Sequence, residues 1–139
     1  MANFRERAEA EFENIDKVLA QFPPCDTFPE LSTLELAGVA ALIHSLYNGL
    51  ENILKQAVLS KGIKLPQGQT WHRDLVESAL SQGIISQATE EAIKQYLAFR
   101  HFFSHAYAFE LYADRIIPLV EGAVLVVDLF KKDIDKLFK

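Results

Sequence analysis

The sequence predicts an all-α protein, an antiparallel up-and-down bundle of four long helices with one extra short helix. Three observations carry that expectation. Apolar residues recur at spacings of three and four along almost the whole chain. Helix start and stop signals divide the chain at regular intervals. No strand-like alternation, internal repeat or low-complexity run interrupts the pattern.

The elements follow in order. Phe4, Ala8, Phe12, Ile15, Leu19 and Phe22 form one apolar helix face, which Pro23 and Pro24 are expected to stop. The segment Pro23 to Leu31 holds three prolines and the lone Cys25, and reads as a loop. Ser32-Thr33-Leu34-Glu35 is a capping box opening a second helix. It should run to about Lys61, with Gly62 just beyond its end and a broad apolar face from Leu36 to Val58. Gly62 to Gln69 is a connector: it is glycine-containing, but it lacks the Lys-Ser/Thr ending that a phosphate-cradling loop requires. Thr70 should cap a short helix to about Gln82, closed by Gly83. Ser86 should cap a fourth segment running toward His105. Asp114 should cap a single last helix with Pro118 in its first turn, where the missing N–H is tolerated. That helix is apolar nearly all round from Ile116 to Phe130 and is expected at the centre or at a subunit interface. Its tail, Lys131 to Lys139, reads as a solvated end.

Length and composition set bounds on function. The 139 residues fit a single domain, 1–139, able to bury its own core. A hydrophobic content of 50% and a charged content of 24% are globular rather than disordered. The net charge of -5 argues against a general basic footprint for nucleic acid but leaves room for a local basic site. One cysteine excludes an intrachain disulfide and a cysteine zinc cluster. Met1 to Arg7 is charged and no apolar run follows, so no secretory signal is read. Ile116 to Phe130 carries Glu121 and Asp128 and is too short to span a bilayer. A cytoplasmic, reducing location is the expectation.

The common catalytic and nucleotide-binding motifs are absent: there is no G-x-G-x-x-G, Walker A, H-E-x-x-H or G-x-S-x-G. The chemistry concentrates between Tyr96 and Phe109, which holds two of the chain's four histidines, six aromatics and one arginine. At about 100° per residue, Ile93, Tyr96, Leu97, Arg100, Ser104 and Tyr107 share one stripe. Arg100 therefore interrupts a core-facing line, and a guanidinium there needs an anion. The anion is either an internal carboxylate, with Glu51 and Glu110 as candidates, or a substrate phosphate held in bidentate fashion. His105 lies about 140° around the helix from Arg100. The two converge only if the helix ends near Ser104 or if they meet across a dimer axis. A histidine is the natural proton shuttle for phosphoryl chemistry. His101 and His105 are also an i, i+4 pair with metal-ligand spacing, but no third ligand stands at a matching offset. His44 and His72 sit beside aromatics and read as packing or hydrogen-bonding residues.

Arg100, His105 and Tyr107 reproduce the R-x4-H-x-Y motif, and here the chain resembles the HEPN superfamily, in particular its HepT-like ribonuclease toxins. The stretch His44-Ser45-Leu46-Tyr47-Asn48-Gly49-Leu50-Glu51, the Trp71-His72 pair and the run Phe99 to Glu110 resemble the same branch. The resemblance implies a HEPN fold and a homodimeric, metal-independent endoribonuclease with no cofactor. Arg100 would bind the scissile phosphate. His105 would act as general base on the ribose 2′-hydroxyl, or as general acid to the leaving oxygen. This chemistry requires RNA and excludes DNA, which lacks that hydroxyl. By family habit transfer RNA is favoured over messenger RNA. Tyr107 resembles the tyrosine that a minimal nucleotidyltransferase antitoxin adenylylates, which would silence the toxin. His101 stands where many relatives carry Asn or Asp, and His101 and Ser104 are the expected supporting residues. Two other readings compete: a non-catalytic helical interaction subunit of a minimal nucleotidyltransferase, and a histidine-based metal bundle. No membrane association is expected.

Overall fold

The computed structural model describes residues 3–138. Met1, Ala2 and Lys139 lie outside it, so the reading of the chain's first residues as a signal-free start rests on sequence alone. Among the described residues the chain is all-α: α1 (Phe4–Leu19), α2 (Thr33–Ser60), α3 (Trp71–Ser81), α4 (Gln87–His105), α5 (Ala113–Glu121) and α6 (Ala123–Asp135), with short 3-10 turns at Cys25–Glu30, Ala108–Glu110 and Lys136–Phe138.

The capping chemistry explains most boundaries. Ser32 and Glu35 exchange side-chain and backbone hydrogen bonds at the start of α2, and these same bonds hold the Glu35 carboxyl below the usual carboxylate range. Gly62 and Gly83 follow α2 and α3 with φ of 74° and 72°, a left-handed backbone that L side chains rarely adopt. Ser86 accepts from the Thr89 amide at the start of α4. Thr70 precedes α3 as expected, but its hydroxyl donates to the Asp74 carboxylate at 2.9 Å rather than accepting from the backbone.

Four expectations are corrected. First, α1 ends at Leu19, before Pro23, because the chain turns at Ala20 and Gln21. Second, the segment after Pro24 is a 3-10 turn that buries Phe28 against the core rather than an open loop. Third, the last helix is two. Tyr112 occupies the cap position and Asp114 the first turn of α5, so Pro118 falls one turn later than expected. The break at Gly122 is tied from outside: the Tyr96 hydroxyl donates to the Leu119 carbonyl at 2.6 Å, and burial pushes that phenol up to about 12. Fourth, the tail is not simply solvated. Asp133 and Ile134 are buried, and Phe138 packs on Phe4 with ring centres 5.6 Å apart.

α2 is the central helix. It packs on α1, α3, α4 and α5, and α4 also packs on α3 and α6. Its face from Val39 to Val58 is buried almost throughout, with Ala40, Ile43, Leu46, Leu50, Ile53, Leu54, Ala57 and Val58 fully so. The core closes around this face with Ile93 and Phe99 of α4, Ile116 of α5 and Phe130 of α6. No helix among the described residues is long and apolar enough to cross a membrane.

Candidate functional site

α4 carries the motif, and it does so as an unbroken helix to His105. The helix does end next to Ser104, but His105 is still its last residue, so the ending does not bring Arg100 and His105 onto one face. Arg100 and His105 stay about 140° apart around one helix.

Arg100 faces inward. It is half-buried, its Nε is fully buried, and that Nε has no hydrogen-bond partner among the described residues. Among the described residues no carboxylate lies within ion-pair distance of it. Both internal partners anticipated for it are engaged elsewhere. Glu110 accepts from the Tyr107 amide at 2.8 Å, and Glu51 accepts from His72 Nδ1 at 2.6 Å.

The surroundings of Arg100 come from α2. His44, Tyr47, Asn48 and Glu51 are spaced three, one and three apart, which places them on one face of that helix. The His44 ring packs on Phe103 of α4 at 5.1 Å, and Asn48 Nδ2 lies 3.4 Å from His44 Nδ1. Burial first, and the Arg100 charge second, hold the His44 imidazole below its usual range, against the opposing pull of Glu51. Tyr47 is buried with an unpartnered hydroxyl. Burial and the adjacent Glu51 carboxylate drive its phenol far above the ordinary value, with Arg100 opposing. Glu51 and Arg100 thus act on the same two side chains from either side. The sequence reads His44 and His72 as packing or hydrogen-bonding residues, which they are, and Tyr47 as part of the apolar face. The signal that reveals the stripe is polar residues at helical spacing inside an otherwise apolar helix.

The outward face of α4 is different. His101 and His105 are exposed and their rings lie 4.6 Å apart. His105 Nδ1 lies 2.8 Å from the His101 carbonyl. A carbonyl only accepts, so Nδ1 carries the proton, and in the neutral ring Nε2 presents its lone pair to solvent. Ser104 is exposed, and its hydroxyl donates back to the Arg100 carbonyl at 2.9 Å, so it braces the last turn of the helix. Tyr107 lies just beyond the helix, 70% exposed, stacked on Phe109 with parallel rings 5.4 Å apart. The Arg115 guanidinium sits over the Phe102 ring at 4.0 Å, which adds a second positive charge beside the motif. Arg73 lies on α3, where it faces Glu77 at 3.9 Å.

Three remaining features lie apart from this site. Cys25 is half-buried, and burial with Glu121 and Asp26 raises its thiol above the ordinary value, which disfavours the reactive thiolate. The Gly62–Gln69 connector and Trp71 line a cleft of about 440 Å³ that contains none of the motif residues. Among the described residues no group of three or more His, Cys, Asp or Glu is placed to hold a metal ion.

An all-α bundle in which the last turns of one helix present an arginine, two histidines and an exposed tyrosine has the arrangement of a HEPN domain. A family model described as HepT-like protein matches residues 38–139, and the chain belongs to that family. No curated protein and no solved structure matches it.

Proposed function

We propose that this protein is the toxin of a toxin–antitoxin pair, a metal-independent endoribonuclease that works as a homodimer. The observation that carries the reading is the state of the motif side chains: His105 is fixed through Nδ1 with Nε2 open to solvent, while Arg100 on the same helix has no contact ion pair among the described residues. Polar groups held in place yet left without partners are what a binding and proton-transfer site requires.

The chemistry runs as follows. His105 Nε2 takes the proton of a ribose 2′-hydroxyl, and that oxygen attacks the adjacent phosphorus. The bond from phosphorus to the 5′-oxygen breaks, and the leaving oxygen takes up a proton from an imidazolium. The products are a 2′,3′-cyclic phosphate and a 5′-hydroxyl. Arg100 stabilises the charge that grows on the non-bridging oxygens. Because Arg100 and His105 point to different sides of one helix, a second copy supplies the group that each lacks. His101 orients His105 through its carbonyl, and Ser104 supports the same turn. Arg115 adds phosphate affinity, which the net charge of -5 otherwise opposes.

Transfer RNA is the favoured substrate over messenger RNA. A minimal nucleotidyltransferase antitoxin silences the enzyme by adenylylating Tyr107, whose exposure fits a modification site. The added phosphate would repel RNA from the adjoining site. The exposed side chains Tyr107, Phe109, Tyr112, Val124 and Leu125 favour protein contacts. They also suit a second reading, a non-catalytic helical subunit of the nucleotidyltransferase. The test is cleavage of total RNA in excess EDTA by wild type, Arg100→Ala and His105→Ala, with product ends mapped. Cleavage by wild type alone, leaving cyclic phosphate ends, is the expected result. Folded, unmodified wild type that cuts nothing across a range of RNAs and salt concentrations would overturn the enzyme in favour of the interaction subunit.

A further inference from the structure

Glu51 is a carboxylate where carboxylates rarely sit. It is 4% exposed, in the middle of the central helix, flanked by Leu50 and, two residues on, Ile53, both fully buried. A buried carboxylate needs compensation. His72 of α3 supplies one hydrogen bond, Nδ1–H to Oε2 at 2.6 Å. Arg100 is a positive charge that acts, together with Glu51, on His44 and Tyr47.

The register of α2 against α4 explains how. The His44–Phe103 contact at 5.1 Å anchors the antiparallel pair. Counting up α2 and down α4 from that contact places Arg100 level with Tyr47 and Asn48, between His44 and Glu51. Arg100 Nε is buried, and its charge acts on His44 and Tyr47 of α2. The buried Tyr47 hydroxyl has no partner in hydrogen-bonding geometry among the described residues, and the Glu51 carboxylate is close enough to raise its phenol.

We propose that Glu51, clamped by His72, is the positioning residue for Arg100: it draws the guanidinium inward by charge across the α2–α4 contact, without a contact ion pair, and so leaves the terminal Nη groups free for substrate. The distinction matters physically. A carboxylate in direct bidentate contact would occupy the donors that a phosphate needs. A carboxylate held out of contact in a poorly screened interior still orients the charge but takes none of its donors. His72, on a third helix, takes one Glu51 oxygen in a hydrogen bond and so fixes the carboxylate from outside the α2–α4 pair. The role of Glu51 in cleavage rests on the ribonuclease reading; its hold on Arg100 does not.

The experiment therefore reads both. The full-length protein is labelled with ¹⁵N-arginine, and the Arg100 Nε–H resonance is assigned by its loss in Arg100→Lys. A buried Nε–H exchanges slowly with water and stands apart from those of the exposed arginines. In E51Q, which keeps shape and removes charge, that resonance is expected to shift and to exchange faster, while the backbone amide spectrum stays that of a folded protein. RNA cleavage by E51Q is expected to fall about a hundredfold in kcat, with KM changed by about twofold. H72A is expected to move the same resonance less, and H72N, whose amide replaces the Nδ1 donor, to restore it. If E51Q does not fold, H72A with H72N carries the test. An Arg100 resonance unmoved by loss of Glu51 or its clamp overturns the proposal, whatever happens to melting temperature. A resonance that moves in a protein whose wild type cuts no RNA upholds the hold on Arg100 and overturns the ribonuclease instead.

Discussion

The two ends of α4 are built on opposite principles. At its N-terminus every polar group is satisfied. Asp133, reaching in from α6, accepts at one carboxylate oxygen from the Ser86 amide at 2.9 Å, the Ser86 hydroxyl at 3.1 Å and the Thr89 hydroxyl at 2.5 Å. Ser86 in turn caps the Thr89 amide. At the C-terminus Arg100 Nε has no partner, and His101, His105 and Tyr107 face solvent. Both ends hold charged residues against the same core. A buried charge in this bundle is thus saturated at one end of α4 and left open at the other, and on the proposed function the open end is the one that meets substrate.

That contrast can be broken in order of expected effect. Arg100→Met should lower RNA cleavage by about a thousandfold. If it retained wild-type cleavage, the open end would have no chemistry to perform. Asp133→Ala should cost about 3 kcal/mol of stability in urea denaturation, since it strands several buried donors. Assayed below its unfolding transition, that variant should still cut. Equal stability of Asp133→Ala and wild type would show that the network at this end is incidental. Arg100→Met, by the same denaturation measurement, should lie within about 1 kcal/mol of wild type, because Met keeps the apolar stem and no hydrogen bond at Nε is lost.

The smallest effect concerns pH. Burial and Arg100 lower the His44 imidazole in the folded state. Above the usual histidine value of about 6.5, neither state holds the extra proton, and the contribution of His44 is fully present. As pH falls through that value, the unfolded chain takes up a proton that the folded chain refuses, so stability declines. Wild type should therefore lose more stability than His44→Gln between pH 7.5 and 5.5, by less than about 1 kcal/mol. The reverse order would mean that burial and Arg100 together do not outweigh the pull of Glu51 on His44.

Much of this was legible in the sequence, for local reasons. Capping boxes, post-helix glycines and three-four apolar spacing are properties of a few consecutive residues. They located α2, α3 and α4 within a residue or so. The R-x4-H-x-Y spacing is likewise local, and it placed the candidate site on the last turns of α4. The misread elements share a different cause. The split between α5 and α6 depends on Tyr96, a residue from another helix that binds the Leu119 carbonyl. The buried Asp133 looked like part of a solvated tail because its donors, Ser86 and Thr89, lie far away in sequence.

The arrangement around Arg100 divides the same way. Sequence alone determined that an arginine sits on a core-facing helical stripe, because a helix repeats every few residues and its faces can be counted. It left open whether a carboxylate or a substrate satisfies that charge. Only the tertiary structure decided that Glu51 is turned to His72 and Glu110 to the Tyr107 amide, leaving Arg100 unpaired. Periodicity assigns a residue to a face. Which side chain meets it depends on the register between helices, and that is set by how the whole core packs.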